Sequence, residues 1–101
     1  SFPTTGMYRI YAMITWHGNN QASGSCFGTI QVTTDNSSYS TAASSSGGMD
    51  SASNRRDFQA AETIIDVTDT SQVKFRITVN TNNTNTTMDF MRVIVYRLGD
   101  T

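Results

Sequence analysis

The sequence predicts an all-β protein in which antiparallel strands pack as a sandwich. Runs of aromatic and β-branched residues recur along the chain, with polar, turn-forming stretches between them. One of these runs alternates regularly between apolar and polar residues, which is the period of a half-buried strand. No stretch of eleven or more residues has a helical period. With 101 residues there is room for one domain, covering 1–101, and for one core.

Five segments have the composition of strands. The first is the richest in aromatic and β-branched residues, and it ends at a polar turn that begins with His17 and Gly18. The fourth places Val73, Phe75, Ile77 and Val79 on the inward side and Lys74, Arg76 and Thr78 on the outward side. The predicted strands are 7–16, 24–34, 58–67, 72–79 and 88–98.

The first and last of these strands are apolar on both faces. In 7–16, one face carries Tyr8 and Trp16, and the other carries Tyr11 and Met13. The last strand likewise has Phe90, Ile94 and Tyr96 on one side and Met91, Val93 and Val95 on the other. An antiparallel sheet with one wet face has a polar second face, so these two strands indicate that the second face is covered as well.

A long segment between the second and third strands is dominated by Ser, Ala and Gly. Residues 37–54 have little to bury apart from Tyr39 and Met49, so we predict an exposed loop with at most one short edge strand near Tyr39. We expect deletion of residues 42–48 from such a loop to cost little stability.

Charge and cysteine content exclude several classes of function. A net charge of -1 does not provide the basic surface that nucleic-acid binding needs. One cysteine and one histidine exclude an internal disulfide and a four-ligand Cys/His zinc site. No apolar run has the length of a membrane span, so we predict no membrane insertion.

Residues that carry chemistry are few. His17 lies in a turn, and neither a serine nor Cys26 is tied to it by a motif, so we predict no catalytic residue and no enzyme. Asp66 and Asp69 are the only candidates for a metal site, and Asx-type turn bonding is the favoured interpretation of both. We predict no cofactor.

Taken in order, several segments resemble the C1q/TNF-like jelly-roll superfamily, which includes animal extracellular proteins and some virus and phage fibre or decoration proteins. The matching pieces are GMYRI at 6–10, the pair Ile64-Ile65, VKFRI at 73–77 and DFMRVIVY at 89–96. The sequence departs from the family's pattern in lacking the first strands of its domain and in having Arg92 where a small residue is common. The resemblance therefore implies a jelly roll that is the C-terminal part of a longer chain.

The resemblance also implies a homotrimer. The first and last strands would lie side by side and face the threefold axis, which would cover their second apolar faces. The predicted trimer interface comprises Tyr11, Met13, Phe90, Ile94 and Tyr96.

Two classes of function account for these features, and a third, an enzyme, has only lone candidate residues behind it. The first is a virion-surface module, either a phage tail-fibre head or a capsid decoration protein, whose partners are its own copies, other virion proteins, or a host glycan or protein. The second is a secreted C1q-like domain that recognises a carbohydrate or protein ligand. The surface rich in Ser, Thr and Asn, which number 36, and the lack of a disulfide favour the viral class.

Overall fold

The computed structural model describes residues 1–18, 24–49, 55–82 and 86–101. These residues form two three-stranded antiparallel sheets, with strand order β4-β1-β6 in the first and β3-β2-β5 in the second. Helices are absent from these ranges, so the prediction of an all-β fold is confirmed, and no helix capable of crossing a membrane is found in them. The strands are β1 (Gly6–Gly18), β2 (Gly24–Thr33), β3 (Ser40–Met49), β4 (Arg55–Val67), β5 (Lys74–Thr81) and β6 (Thr86–Gly99).

The two sheets pack as a β-sandwich, and they approach each other most closely where β4 lies against β3 and β2. All five strands predicted from the sequence are present, with ends that differ by a few residues. A jelly roll usually has eight strands, whereas six are seen in the described residues. The sandwich is therefore established, and the jelly-roll topology stays a prediction.

The even-numbered residues of β1 form the centre of the core. Each is buried, and each neighbouring odd-numbered residue is half-buried, so β1 shows the alternation of a strand with one inward face. Burying each large aliphatic or aromatic side chain contributes about 1.5–3 kcal/mol. Two clusters result, one around Tyr8, Ile10, Ala12, Ile30, Ala61, Ile65, Val67 and Val73, and one formed by Ile14, Trp16 and Cys26.

The N-terminal segment closes one end of the sandwich. Phe2 is buried, and its ring centroid lies 4.7 Å from that of Tyr8 on β1 and 5.7 Å from that of Phe75 on β5. Tilted aromatic pairs at these distances are favourable beyond the area they bury. The Tyr8 hydroxyl donates to the backbone oxygen of Thr4 at 3.0 Å, which satisfies the polar end of this ring. Residues 2–8 therefore connect the two sheets.

The sheets also lie close together where Ile14 of β1 covers the backbone of β2. Gly28 is buried, and a Cβ at this position would overlap the terminal methyl group of Ile14. Glycine in a strand often marks a close approach of this kind. The size of the residue at position 28 thus limits how close the two sheets lie around the second core cluster.

The predicted loop over 37–54 is wrong for much of its length. Residues 40–49 form β3, a ten-residue edge strand that pairs with β2 from Gly24↔Met49 to Val32↔Ser40. Its Ser, Ala and Gly side chains are small because β3 packs closely against β4, and a Cβ at Gly47 would meet the side chains of Asp57 and Gln59. Residues 50–54 lie outside the described ranges. Deletion of residues 42–48 would remove most of this strand and should destabilise the protein. The prediction of a loop had instead implied a small loss of stability.

β6 is an edge strand of the first sheet, and few of its residues are covered by other parts of the protein. Its first residue, Thr86, is buried, but most of the following residues are exposed on both faces. Two register shifts against β1, at Asp89 and Leu98, leave a regular stretch between them. On the inward side, Met88, Met91 and Val95 remain partly exposed. Both faces of β6 are therefore accessible to solvent, including the second apolar face that the sequence indicated.

Candidate functional site

The side of the first sheet that points away from the second sheet carries the residues predicted to assemble the protein. We call it the outer face, and it consists of the odd-numbered residues of β1 and the residues of β4 and β6 that pair with them, which are even-numbered in β4 and within 90–96 of β6. The pairing of β1 with β6 sets Arg9 opposite Tyr96, Tyr11 opposite Ile94, Met13 opposite Arg92 and Thr15 opposite Phe90.

All five residues of the predicted trimer interface lie on this outer face. Tyr11 and Ile94 are direct cross-strand neighbours, and Met13 follows Tyr11 on the same side of β1. Phe90 and Tyr96 are about half exposed, at 50% and 49%. The structure therefore brings the five side chains into one continuous surface, as the parity of the two strands indicated.

The third strand of the sheet adds two large apolar residues that the sequence analysis did not include. Phe58 and Ile64 of β4 are 58% and 54% exposed and lie opposite Thr15 and Arg9 on the outer face. Both are even-numbered residues of the predicted strand 58–67, so the sequence alone places them on the same face of that strand. What the sequence did not reveal is that β4 pairs with β1.

The exposed apolar area of the outer face matches that of the largest patch on a typical monomer. Four half-exposed large side chains, Phe58, Ile64, Phe90 and Tyr96, contribute roughly 400 Å², because a residue of this kind presents about 150–250 Å² when fully exposed. The largest apolar patch on a typical monomer is about 300–600 Å² and is often functional. A standard interface buries about 800 Å² per partner, so these four side chains alone correspond to about half of one.

The charges on the outer face are mostly paired with each other. A guanidinium nitrogen of Arg9 donates to the Glu62 carboxylate, and one of Arg56 donates to the Asp89 carboxylate. The hydrogen bond from Arg9 to Glu62, and then the negative charge of Glu62, raise the pKa of the arginine. Both ion pairs run across strands within one chain, so they hold charged groups flat on the sheet without requiring a partner.

Arg92 differs from these two cations. It is exposed on β6 opposite Met13, and within the described part of the chain no carboxylate or hydrogen-bond acceptor contacts its guanidinium group. The remaining acidic residue of the outer face, Asp66, lies opposite Met7. Met7 and Met13 are six residues apart on β1, so Asp66 and Arg92 are separated by about 20 Å along the strand direction.

No sequence motif links His17 to Cys26, and the structure does not bring the two residues together. His17 is half-buried near the end of β1 on the outer face, opposite Arg56 and Thr87. Cys26 is fully buried on the inward side of β2, in contact with the cluster of Ile14 and Trp16. Burial raises the pKa of the Cys26 thiol, and the charge of Asp57 raises it further. A thiol in this environment is a small core residue rather than a nucleophile.

The two aspartates considered for a metal site do not converge. Asp69 accepts hydrogen bonds from the backbone nitrogen of Ser71 at 2.8 Å and from its hydroxyl at 2.6 Å, which is the Asx-type turn favoured from the sequence. These bonds lower the pKa of Asp69. Asp66 lies apart, on the outer face at the end of β4. Across the four described ranges, no group of three or more metal-ligating side chains is found.

Comparison with known proteins adds no relative. No protein-family model matches the chain, and no curated protein is significantly similar to it. The resemblance to the C1q/TNF-like superfamily consequently rests on the residues quoted above.

Proposed function

We propose that this chain is a non-enzymatic structural or adhesion module that forms a homotrimer on the surface of a virion, as a fibre head or a capsid decoration protein. The observation that carries the proposal is the outer face, where apolar side chains from all three strands of one sheet are exposed together. A surface of this kind is costly in water and is typical of a contact between proteins.

The occupant of this surface is a second and third copy of the same chain. The ion pairs Arg9–Glu62 and Arg56–Asp89 are satisfied within the chain, so the face presents little net charge to repel its own copy. Aromatic residues and methionine are the types enriched in the centre of interfaces, and Tyr11, Met13 and Phe90 are of these types. A closed threefold contact covers the face without leaving it open to further growth.

In such a trimer, the second sheet keeps its outer side towards solvent. This side carries hydroxyl and amide side chains, together with Phe27, which is 38% exposed. At one end, the Arg76 guanidinium lies 4.1 Å from the centre of the Tyr39 ring and donates to the Gln31 side chain at 2.7 Å. Polar groups around aromatic rings suit contact with a host glycan or protein, which supports an adhesion role.

The viral setting is supported by composition. Ser, Thr and Asn number 36 of 101 residues, and charged residues are only 15%. A neutral surface of hydroxyls and amides suits a protein exposed outside the cell, where it meets no nucleic acid or membrane interior.

Sedimentation equilibrium tests the proposal. The wild-type chain should have three times the monomer mass of 11.1 kDa at micromolar concentration. Tyr11→Asp and Met13→Asp should each give a monomer or an aggregate, because threefold symmetry places three like charges around one axis. Thr78→Asp is the matched control, since Thr78 is exposed on β5 of the other sheet, and this variant should stay trimeric. A wild-type chain that is monomeric and soluble would contradict the proposal.

A further inference from the structure

Among the described residues near the centre of the outer face, Arg92 carries the one charge that is left without a partner. Phe90 and Ile94 flank it on the same side of β6, and Met13 lies opposite. The other cations described on this face, Arg9 and Arg56 among the arginines, are both paired with carboxylates. Arg92 therefore combines an apolar setting with an unneutralised guanidinium group.

Burial of the outer face in a trimer makes this arrangement costly. A charged group that loses water without gaining a partner destabilises the assembly, and a guanidinium group does not lose its proton to avoid this. If the outer face is covered, Arg92 must meet a negative group, and the described residues of its own chain supply none.

In a trimer whose threefold axis runs parallel to the strands, the acidic residues described on the outer face of a neighbouring copy do not supply one either. Glu62 and Asp89 are already engaged by Arg9 and Arg56. Asp66 lies about 20 Å from Arg92 along the strand direction, and rotation about a threefold axis parallel to the strands leaves that separation unchanged. Three Arg92 side chains at the same height would instead face each other and repel.

We infer that the three Arg92 side chains bind a tetrahedral oxyanion, such as sulfate or phosphate, on the threefold axis. This inference rests on the proposed homotrimer, because one chain contributes only one third of the site. A guanidinium group donates through a planar fork that matches oxyanion oxygens. A tetrahedral oxyanion has a threefold axis of its own, so three equivalent oxygens meet three equivalent arginines. The ion neutralises the cluster that burial creates.

Sedimentation equilibrium in sodium sulfate and in sodium chloride, at matched ionic strength, tests the inference. Sulfate should lower the protein concentration at which the wild-type trimer dissociates by about tenfold or more, as expected for charge-assisted hydrogen bonds. Arg92→Leu should assemble at least as well as the wild type in chloride and lose the specific response to sulfate, since replacing clustered charges by apolar groups is often neutral or stabilising. Lys74→Gln is the matched control, because it removes one cation from the second sheet and should respond as the wild type does.

The outcomes separate the anion site from the trimer itself. A wild-type trimer whose response to sulfate equals that of Arg92→Leu overturns the anion site and leaves the proposed function intact. A wild-type monomer overturns both. A wild-type dimer also overturns both, and it would indicate a twofold contact in which Arg92 reaches Asp66 of a second copy. In that case Arg92→Asp and Asp66→Arg should each dissociate the dimer, and their combination should restore it.

Discussion

The indole nitrogen of Trp16 on β1 donates a hydrogen bond of 3.2 Å to the side-chain oxygen of Gln59 on β4. The amide nitrogen of Gln59 in turn donates to the backbone oxygen of Cys26 on β2 at 3.1 Å. Gln59 is only 5% exposed, so one buried amide satisfies a donor in the first sheet and an acceptor in the second. It connects the sheets at the point where the second core cluster lies.

Replacing this amide should destabilise the protein strongly. We expect Gln59→Leu to lower the free energy of unfolding by about 2–4 kcal/mol, because it leaves the Trp16 nitrogen buried without a partner and removes the hydrogen bond to the Cys26 oxygen. Urea denaturation at a fixed protein concentration, followed by the fluorescence of the single tryptophan, measures the loss. Gln31→Leu is the matched control on the exposed side of β2 and should cost less than about 1 kcal/mol. Equal stabilities for the two variants would contradict the role of Gln59.

The close approach of Ile14 to Gly28 makes a second prediction. Gly28→Ala should cost about 1–3 kcal/mol, since its methyl group would overlap the terminal methyl of Ile14 in a packed core. Ile14→Val removes that terminal methyl and should cost about 0.5–1.5 kcal/mol alone. The two changes together should cost less than the sum, with a coupling of about 1 kcal/mol in a double-mutant cycle.

Gly99→Ala provides the control for the Gly28 variant. Gly99 is the last residue of β6 and pairs with β1, and a Cβ at this position would meet nothing within 4 Å. Its replacement should therefore change the stability by less than about 0.5 kcal/mol. Additive effects of Gly28→Ala and Ile14→Val would show that the sheets can separate locally to admit the extra methyl.

The strands that sequence analysis predicted well are those in which side-chain type carries the signal. In β1, aromatic and β-branched residues mark the strand, and parity correctly separates the buried face of Tyr8 and Trp16 from the outer face of Tyr11 and Met13. The same parity placed Phe90, Ile94 and Tyr96 on one side of β6. The pairing of β1 with β6 was expected from the resemblance, and it is present.

β3, the strand that was not predicted from the sequence, has few large side chains that would mark it as a strand. β3 is built mainly from Ser, Ala and Gly, whose small size and weak preference for strands suggested a loop. Its stability comes from backbone pairing with β2 and from close packing on β4, for which small residues are needed. Such tertiary requirements are not visible in a local pattern. For the same reason, the unpaired state of Arg92 became apparent only when the strand register was known.

A turn next to β2 contains a carboxylate with an unusual number of hydrogen-bond donors. Asp35 Oδ1 accepts from the backbone nitrogens of Ser38 at 2.8 Å and Ser37 at 2.9 Å, and from the hydroxyl of Thr33 at 2.8 Å. The bond from Ser38 first, and then those from Thr33 and Ser37, lower the pKa of Asp35 below its ordinary value of 3.8. The backbone nitrogen of Asn36, in the same turn, donates to Gln72 at 3.0 Å and ties the turn to the loop before β5.

This depressed pKa gives the stability a defined dependence on pH. The folded protein binds the proton of Asp35 more weakly than the unfolded chain does, so the ionised carboxylate stabilises the fold above pH 3.8. That contribution should decline as the pH falls below 3.8 and be lost below the lower pKa of the folded state. We therefore expect Asp35→Asn, which does not titrate, to lose less stability than the wild type when urea denaturation is repeated from pH 6 down to pH 2.5. Asp69, whose pKa is lowered by Ser71, should behave similarly, so the variant with both changes should have the flattest profile. A wild-type profile that matches that double variant would mean that neither turn holds its carboxylate in the ionised form.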